Sequence, residues 1–294
     1  MSIRVLRLSD ACSDFTLPQI YAVNDAWFTG NPAGVLGVYD LASTLSYAGG
    51  DPTAASAVTT ILGGNSAPFV VGSVVPTPVG VSYVGGGFDF SGLPAGQAYR
   101  SIEVPASISE SLRATSNFLC SAWIKLPASA DWNTTGSLFQ MLTVGDGDAQ
   151  TASKAALFGL YQLQGGILQM RAFSGNAIGR ALNTTLDANY YGQVAQIGVW
   201  KIGSTIYSRI KTPLIVGAVQ SGVYSGQTLS LVEKSTKIGY HFGFNNNLLS
   251  GAGTSRQVNG LRYYRFAAED TSISGRDPVT VLDADWTGNF SKYS

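Results

Sequence analysis

The run SNFLCSAWIKLP, from Ser116 to Pro127, alternates with the two-residue period of an extended strand. Phe118, Cys120, Ala122 and Ile124 fall on one face, and Leu119, Ser121, Trp123 and Lys125 on the other. The first face is apolar throughout, which assigns it to a core between two sheets. The second carries Trp123, which lies either beneath the domain's own loops or against a sugar or partner.

Short runs of this kind, bounded by Gly, Asn, Asp and Ser, fill most of the chain. GVLGVYDL (34–41) reads as the first strand of the main domain, with GGGFDFSG (85–92) and YRSIEVP (99–105) as the next two β-segments. KAALFGLYQL and ILQMRAF flank Gln164-Gly165-Gly166, and QVAQIGVWKI and TIYSRI flank Gly203-Ser204; both are hairpin signals. LVEKSTKIGYHFGF and VNGLRYYRFA complete the β-set. Helical signals are sparse. Asp277 as a cap and Pro278 in the first turn predict one short helix near the C-terminus. The pattern as a whole predicts an all-β antiparallel sandwich.

Two segments stand apart. Residues 1–33 read as an N-terminal arm: as a strand, SIRVLRLS sets an Arg among apolar residues on each face, which suits an edge or partner-paired strand. Residues 42–86 hold one charge, Asp51, and are too apolar for a disordered linker. They read as an ordered insertion in a domain spanning 34–294, laid over the sandwich or over a neighbour.

Charge changes the functional picture. The chain has 18 basic and 18 acidic side chains in 294 residues, so its net charge is zero and its charged fraction, 12%, is about half the usual share. No net positive field exists to draw in nucleic acid or anionic lipid. A neutral chain also lacks charge repulsion against self-association, which favours a homo-oligomer. MSIRVLRLSDACSDF contains no apolar stretch of signal-peptide length and no run is long enough to span a membrane, so synthesis in a cytoplasm is expected. For the same reason Cys12 and Cys120 are expected to stay unpaired, with Cys120 a small buried apolar group.

Candidate chemistry is thin. Glycoside hydrolysis needs two closely placed carboxylates, and none of the four Glu (Glu103, Glu110, Glu233 and Glu269) has another on its own strand. Asp283 and Asp285 read as a solvated helix face, and His241, the sole His, has no triad partners nearby in sequence. No enzyme is expected. Asp146 and Asp148 share a Gly-containing loop, VGDGDAQ; it reads as a β-turn or as the start of a Ca2+ site. Trp132, Tyr190, Tyr191, Tyr263 and Tyr264 are aromatic candidates for stacking on a glycan, with Trp123 beside them as a glycan or partner contact.

The order of GVYDL, GGGFDFSG, RSIEVPASI, SNFLCSAWIKLP, LFGLYQLQGGILQMR, VAQIGVW, KIGYHFGF and VNGLRYYRF over 34–286 resembles the laminin-G and concanavalin A-like jelly rolls. The match includes Phe118, Ser121, Ala122, Trp123, Ile124 and Lys125, then Ile238-Gly239 and Gly260-Leu261 with Arg265. Gln193 stands where that family usually has a His. The Gly-, Ala- and Thr-rich, charge-poor character is similar to that of such modules in tailed-bacteriophage structural proteins. The resemblance implies a virion component, as capsid decoration, tail or fibre-associated part, whose partners are other virion proteins and, second, a host-surface glycan. A carbohydrate-binding module without a virion role is the alternative.

Overall fold

A computed structural model of the chain describes residues 25–53, 56–61, 66–72, 80–92, 99–104, 106–132, 139–145, 156–163, 165–174, 177–224, 236–241 and 259–294. In chain order the strands are β1 (Val35–Asp40), β2 (Ala57–Thr59), β3 (Ser66–Gly72), β4 (Ser82–Val84), β5 (Gly87–Asp89), β6 (Tyr99–Val104), β7 (Phe118–Lys125) and β8 (Phe139–Gly145). They continue as β9 (Ala156–Leu163), β10 (Ile167–Ser174), β11 (Ala177–Thr185), β12 (Val194–Ile202), β13 (Thr205–Lys211), β14 (Gln220–Val223), β15 (Thr236–His241) and β16 (Arg262–Asp270). Among the described residues three α-helices accompany them: α1 (Ala106–Ala114), α2 (Thr271–Ser274) and α3 (Pro278–Tyr293).

All the pairings are antiparallel, and they build two sheets. Sheet one runs β14-β13-β12-β7-β16-β5-β4, with β1 also on β16; sheet two runs β11-β10-β9-β8-β15-β6-β3-β2. The fold is the all-β sandwich the alternation predicts. The two hairpins also form where their glycines stand: Gly165 and Gly166 turn β9 into β10, and Gly203 turns β12 into β13.

Strand β7 is central to sheet one, between β12 and β16. Its Phe118, Cys120, Ala122 and Ile124 enter the core between the sheets, where Phe118 stacks on Phe158 of sheet two at 5.9 Å. Burial pushes the Cys120 thiol well above its ordinary pKa, so it remains a neutral apolar group. Cys12 lies outside the described residues.

Three expectations change. Residues 42–86 are no insertion laid over the sandwich: their described parts supply β2 and β3 to sheet two and β4 to sheet one, and Val58 and Val81 enter the core. Residues 25–33, assigned to the arm, pack on sheet one; Trp27 is fully buried and Asn31 donates to the Ser274 carbonyl at 3.0 Å. Residues 1–24 lie outside the described set. Helix α1 forms between the β-segments read at 99–105 and 118–125, where no helix was expected, because Ile108 and Leu112, four residues apart, drop one helical face into the core.

Candidate functional site

The outward face of sheet one was the first candidate surface, through Trp123. That face is covered. Helix α3 starts where Asp277 accepts from Thr280 N at 2.8 Å with Pro278 beside the cap, as predicted, but runs for 16 residues and lies across β7, β12 and β16. Trp123 is 0% exposed. Its ring stacks on Trp286 at 5.1 Å and packs on Tyr293, and its Nε1 donates to Asp285 Oδ2 at 2.7 Å. Trp123 is therefore a helix seat, not a contact for glycan or partner.

Asp285 is likewise no solvated residue. It is fully buried and accepts from Trp123, from Gln196 Nε2 at 2.9 Å and from Asn289 Nδ2 at 2.9 Å. Burial raises its pKa, and Arg265 with these donors pulls it back only in part. Leu282 seats against Gly198, where a Cβ would lie 2.4 Å from its Cδ1. A side chain at 198 would push the helix off the sheet.

At the centre of this seal lies a buried ionic cluster. The register of β16 on β7 slips between Tyr263 and Arg265, so Tyr264 and Arg265 both face the helix layer. Arg265 Nη2 donates to Asp25 Oδ2 at 2.6 Å and Oδ1 at 2.8 Å, and Nη1 to Asp40 Oδ2 at 2.7 Å; Nε stands 3.5 Å from Asp285 Oδ1. Burial alone would lower the Arg265 pKa, but Asp285, Tyr293, Asp25 and Asp40 hold the guanidinium firmly protonated. One cation thus ties the N-terminal segment, β1, β16 and α3 together. These carboxylates are engaged and closed to solvent.

Trp132, Tyr190 and Tyr191 come together at one corner. Trp132 meets Tyr191 edge-to-face at 5.8 Å and donates from Nε1 to the Leu163 carbonyl at 3.0 Å. Trp132 and Tyr190 are buried and belong to the main core, which removes both as a stacking platform; Tyr191 keeps partial exposure. Tyr263 is core and Tyr264 is beneath α3. Asp146 and Asp148 lie outside the described residues.

The surface that the pattern did not single out is the β14 edge. Leu214, Val216, Val219 and Val223 are 59%, 58%, 45% and 66% exposed within ten residues, and residues 212–232 hold no charge. The segment is firmly held. Gly217 N donates to the Ile210 carbonyl at 2.8 Å, Thr212 N to the Ile215 carbonyl at 2.9 Å, and Thr212 Oγ1 to the Asn189 carbonyl at 2.8 Å. Tyr190 braces it: a Cβ on Gly217 would stand 3.0 Å from the Tyr190 hydroxyl. A sequence signal existed in the uncharged run with its spaced aliphatics, but the longer run at 42–86, with Asp51 as its one charge, masked it.

No family model and no curated protein matches the chain. Among solved structures, it is similar to a Trypanosoma rangeli sialidase in complex with difluorosialic acid (TM-score 0.50, 12% identity, 87% of this chain and 34% of that one). Also similar are the CBM2 module of an evolved Dit from Lactobacillus casei BL23 phage J-1 (0.46, 12%, 81% and 95%) and the botulinum neurotoxin serotype C1 binding domain (0.49, 9%, 86% and 52%). The chain thus spans about half of the toxin domain and a third of the sialidase. At these identities the likeness is one of fold, an antiparallel β-sandwich.

Proposed function

We propose that the chain is a structural component of a tailed-bacteriophage particle, a laminin-G-like sandwich that acts by protein–protein assembly. The observation that carries this reading is the braced segment 212–223, which has no charged residue of its own and exposes four aliphatic side chains. Contiguous exposed apolar surface of this kind marks an interaction site. The charge-poor, Gly-rich sequence and its laminin-G-like strand order support the virion context.

Binding and not catalysis is the proposed mode. Asp25, Asp40 and Asp285, the carboxylates gathered around Arg265, are sealed beneath α3 and cannot flank a glycosidic bond. The test is gold-labelled antibody against the chain, imaged on purified particles. Label at fixed positions on capsid or tail is expected. Unlabelled particles, with all the protein left in the soluble fraction, would overturn the reading.

A second reading is glycan binding, favoured by one feature: Tyr191 presents a partly exposed ring fixed from behind by Trp132. Under that reading Tyr191→Ala abolishes retention on a glycan array. A wild-type chain that retains no glycan removes it.

A further inference from the structure

We infer that the buried cluster beneath α3 is a proton-operated latch. With the roof closed the cluster holds one proton, and the roof, α3 together with residues 25–33, loosens as that proton leaves.

Three carboxylates share one guanidinium there. Asp25, Asp40 and Asp285 are all buried, and the buried Arg265 serves all three. Lys292 is the second cation, half exposed and 3.7 Å from Asp40 Oδ2. Counted in full, it still leaves three acids against two bases. Arg276 reaches the same N-terminal segment at the Ala26 and Thr29 carbonyls, but its charge is taken by Glu269. Strands β7 and β12 meet Asp285 with Ser121, Trp123 and Gln196, none of them charged. Burial keeps the Tyr264 and Tyr293 hydroxyls neutral by raising their pKa. A buried surplus of negative charge is costly, and a site of this kind relieves it by binding a proton.

Asp285 is the least compensated of the three. Asp25 accepts from Arg265 Nη2 at 2.6 Å and Asp40 from Nη1 at 2.7 Å, whereas Asp285 stands 3.5 Å from Nε. Its closer partners, Trp123, Gln196 and Asn289, are neutral donors. Burial accordingly raises its pKa. With three carboxylates gathered on one guanidinium, the midpoint belongs to the set and not to one residue. Once the roof opens, each carboxylate meets water and ionises at its ordinary 3.8. The closed state therefore binds more protons than the open one. Its advantage is complete below pH 3.8 and is lost as pH rises through the closed-state value. Opening should become about tenfold easier per pH unit across that window and level off above it. The moving parts follow from the same contacts, because Asp25 belongs to the N-terminal segment and Asp285 to α3.

The test follows the full chain, labelled at its aspartate carboxyl carbons, by nuclear magnetic resonance from about pH 4.5 to about pH 9. One carboxyl signal should reach its ionised position only above about pH 5.5, more than one unit past the ordinary value of 3.8. Hydrogen exchange, corrected for its intrinsic pH dependence, should show protection in α3 and 25–33 falling about tenfold per unit up to that midpoint. Strands β9 and β10 of the other sheet should stay more protected than α3 at every pH, which separates opening of the roof from global unfolding. Asp25→Asn and Asp285→Asn each remove one charge of the surplus and should shift or abolish the raised signal; either one suffices if the other fails to fold. The inference is overturned if all aspartate carboxyls are ionised by about pH 5. A raised signal that keeps its midpoint in a folded variant, protection in α3 that does not change with pH, or α3 exchanging in step with β9 and β10 overturns it equally.

Discussion

Trp123 and Val223 belong to one sheet, three strands apart, and both point away from the neighbouring sheet. Trp123 is fully enclosed and Val223 is two-thirds exposed. Between them the outward face passes through Trp200 and Tyr207, stacked at 5.4 Å, where the cover of α3 thins out. The difference lies in what each region has to hold a lid. At Trp123 the helix is fixed by Leu282, by the Trp123–Trp286 stack and by four segments gathered on Arg265. At Val223, among the described residues, no ion-pair cluster holds an outer layer and no element lies beyond the strand. The apolar surface is the same in kind; the polar anchors decide whether the chain covers it.

The contrast can be broken most forcefully at its anchor. Arg265→Ala leaves Asp25 and Asp285 buried without their cation and Asp40 with Lys292 alone, 3.7 Å away, and is expected to cost about 3–5 kcal/mol. Urea denaturation measures this, and a midpoint equal to wild type would show that the cluster does not hold the helix. A smaller effect comes from the helix seat. Gly198→Ala drives a methyl into Leu282, which has no room to move, and should cost about 1–3 kcal/mol. The paired substitution Gly198→Ala/Leu282→Ala should then be less than additive, read from the same transitions.

The smallest effect sharpens the border between the two regions. Asp283 accepts from Arg209 Nη2 and Lys211 Nζ, each at 3.0 Å, on the helix rim. Burial would raise its pKa, but those hydrogen bonds and charges hold it below its ordinary 3.8. Because the folded value is depressed, the contribution is complete above pH 3.8 and is lost as pH falls through the folded value. The carboxylate is half exposed, so the loss should stay under about 1 kcal/mol. Asp283→Asn should flatten the acid limb of a melting-temperature profile below pH 3.8 and leave neutral pH almost unchanged. An unaltered acid limb would place the border pairing outside the stability of the fold.

The sandwich was legible where alternation is strict. Both faces of β7 follow from Phe118 to Lys125, and two hairpins follow from their glycines. Helix α3 was legible at its start but not along its length. Of its buried positions Pro278, Val281, Leu282, Asp285, Asn289 and Tyr293, Asp285 and Asn289 are polar, so the apolar stripe is broken and reads as a solvated face. Asp285 and Arg265 explain each other only once a register slip has turned Arg265 outward, and a slip leaves no mark in residue type. The aromatic candidates failed for a related reason. Trp132 and Tyr190 read as glycan or partner contacts but are buried, because residue type does not say that a ring braces a loop from within.

The bond between Arg265 and Asp25 spans 240 positions, and β1 pairs as a strand with β16. On a ribosome, the strands from β2 to β15 all emerge before that partner exists. During this interval β7 and β12 have their core but no roof, and Leu119, Trp123 and Trp200 face the surrounding solution. Closure thus waits for β16 and α3, and it joins early-made chain to later-made chain in one step. Such long-range joining is slow compared with local pairing. A cell making this protein quickly must shelter a bare tryptophan face until residue 265 and the helix behind it arrive.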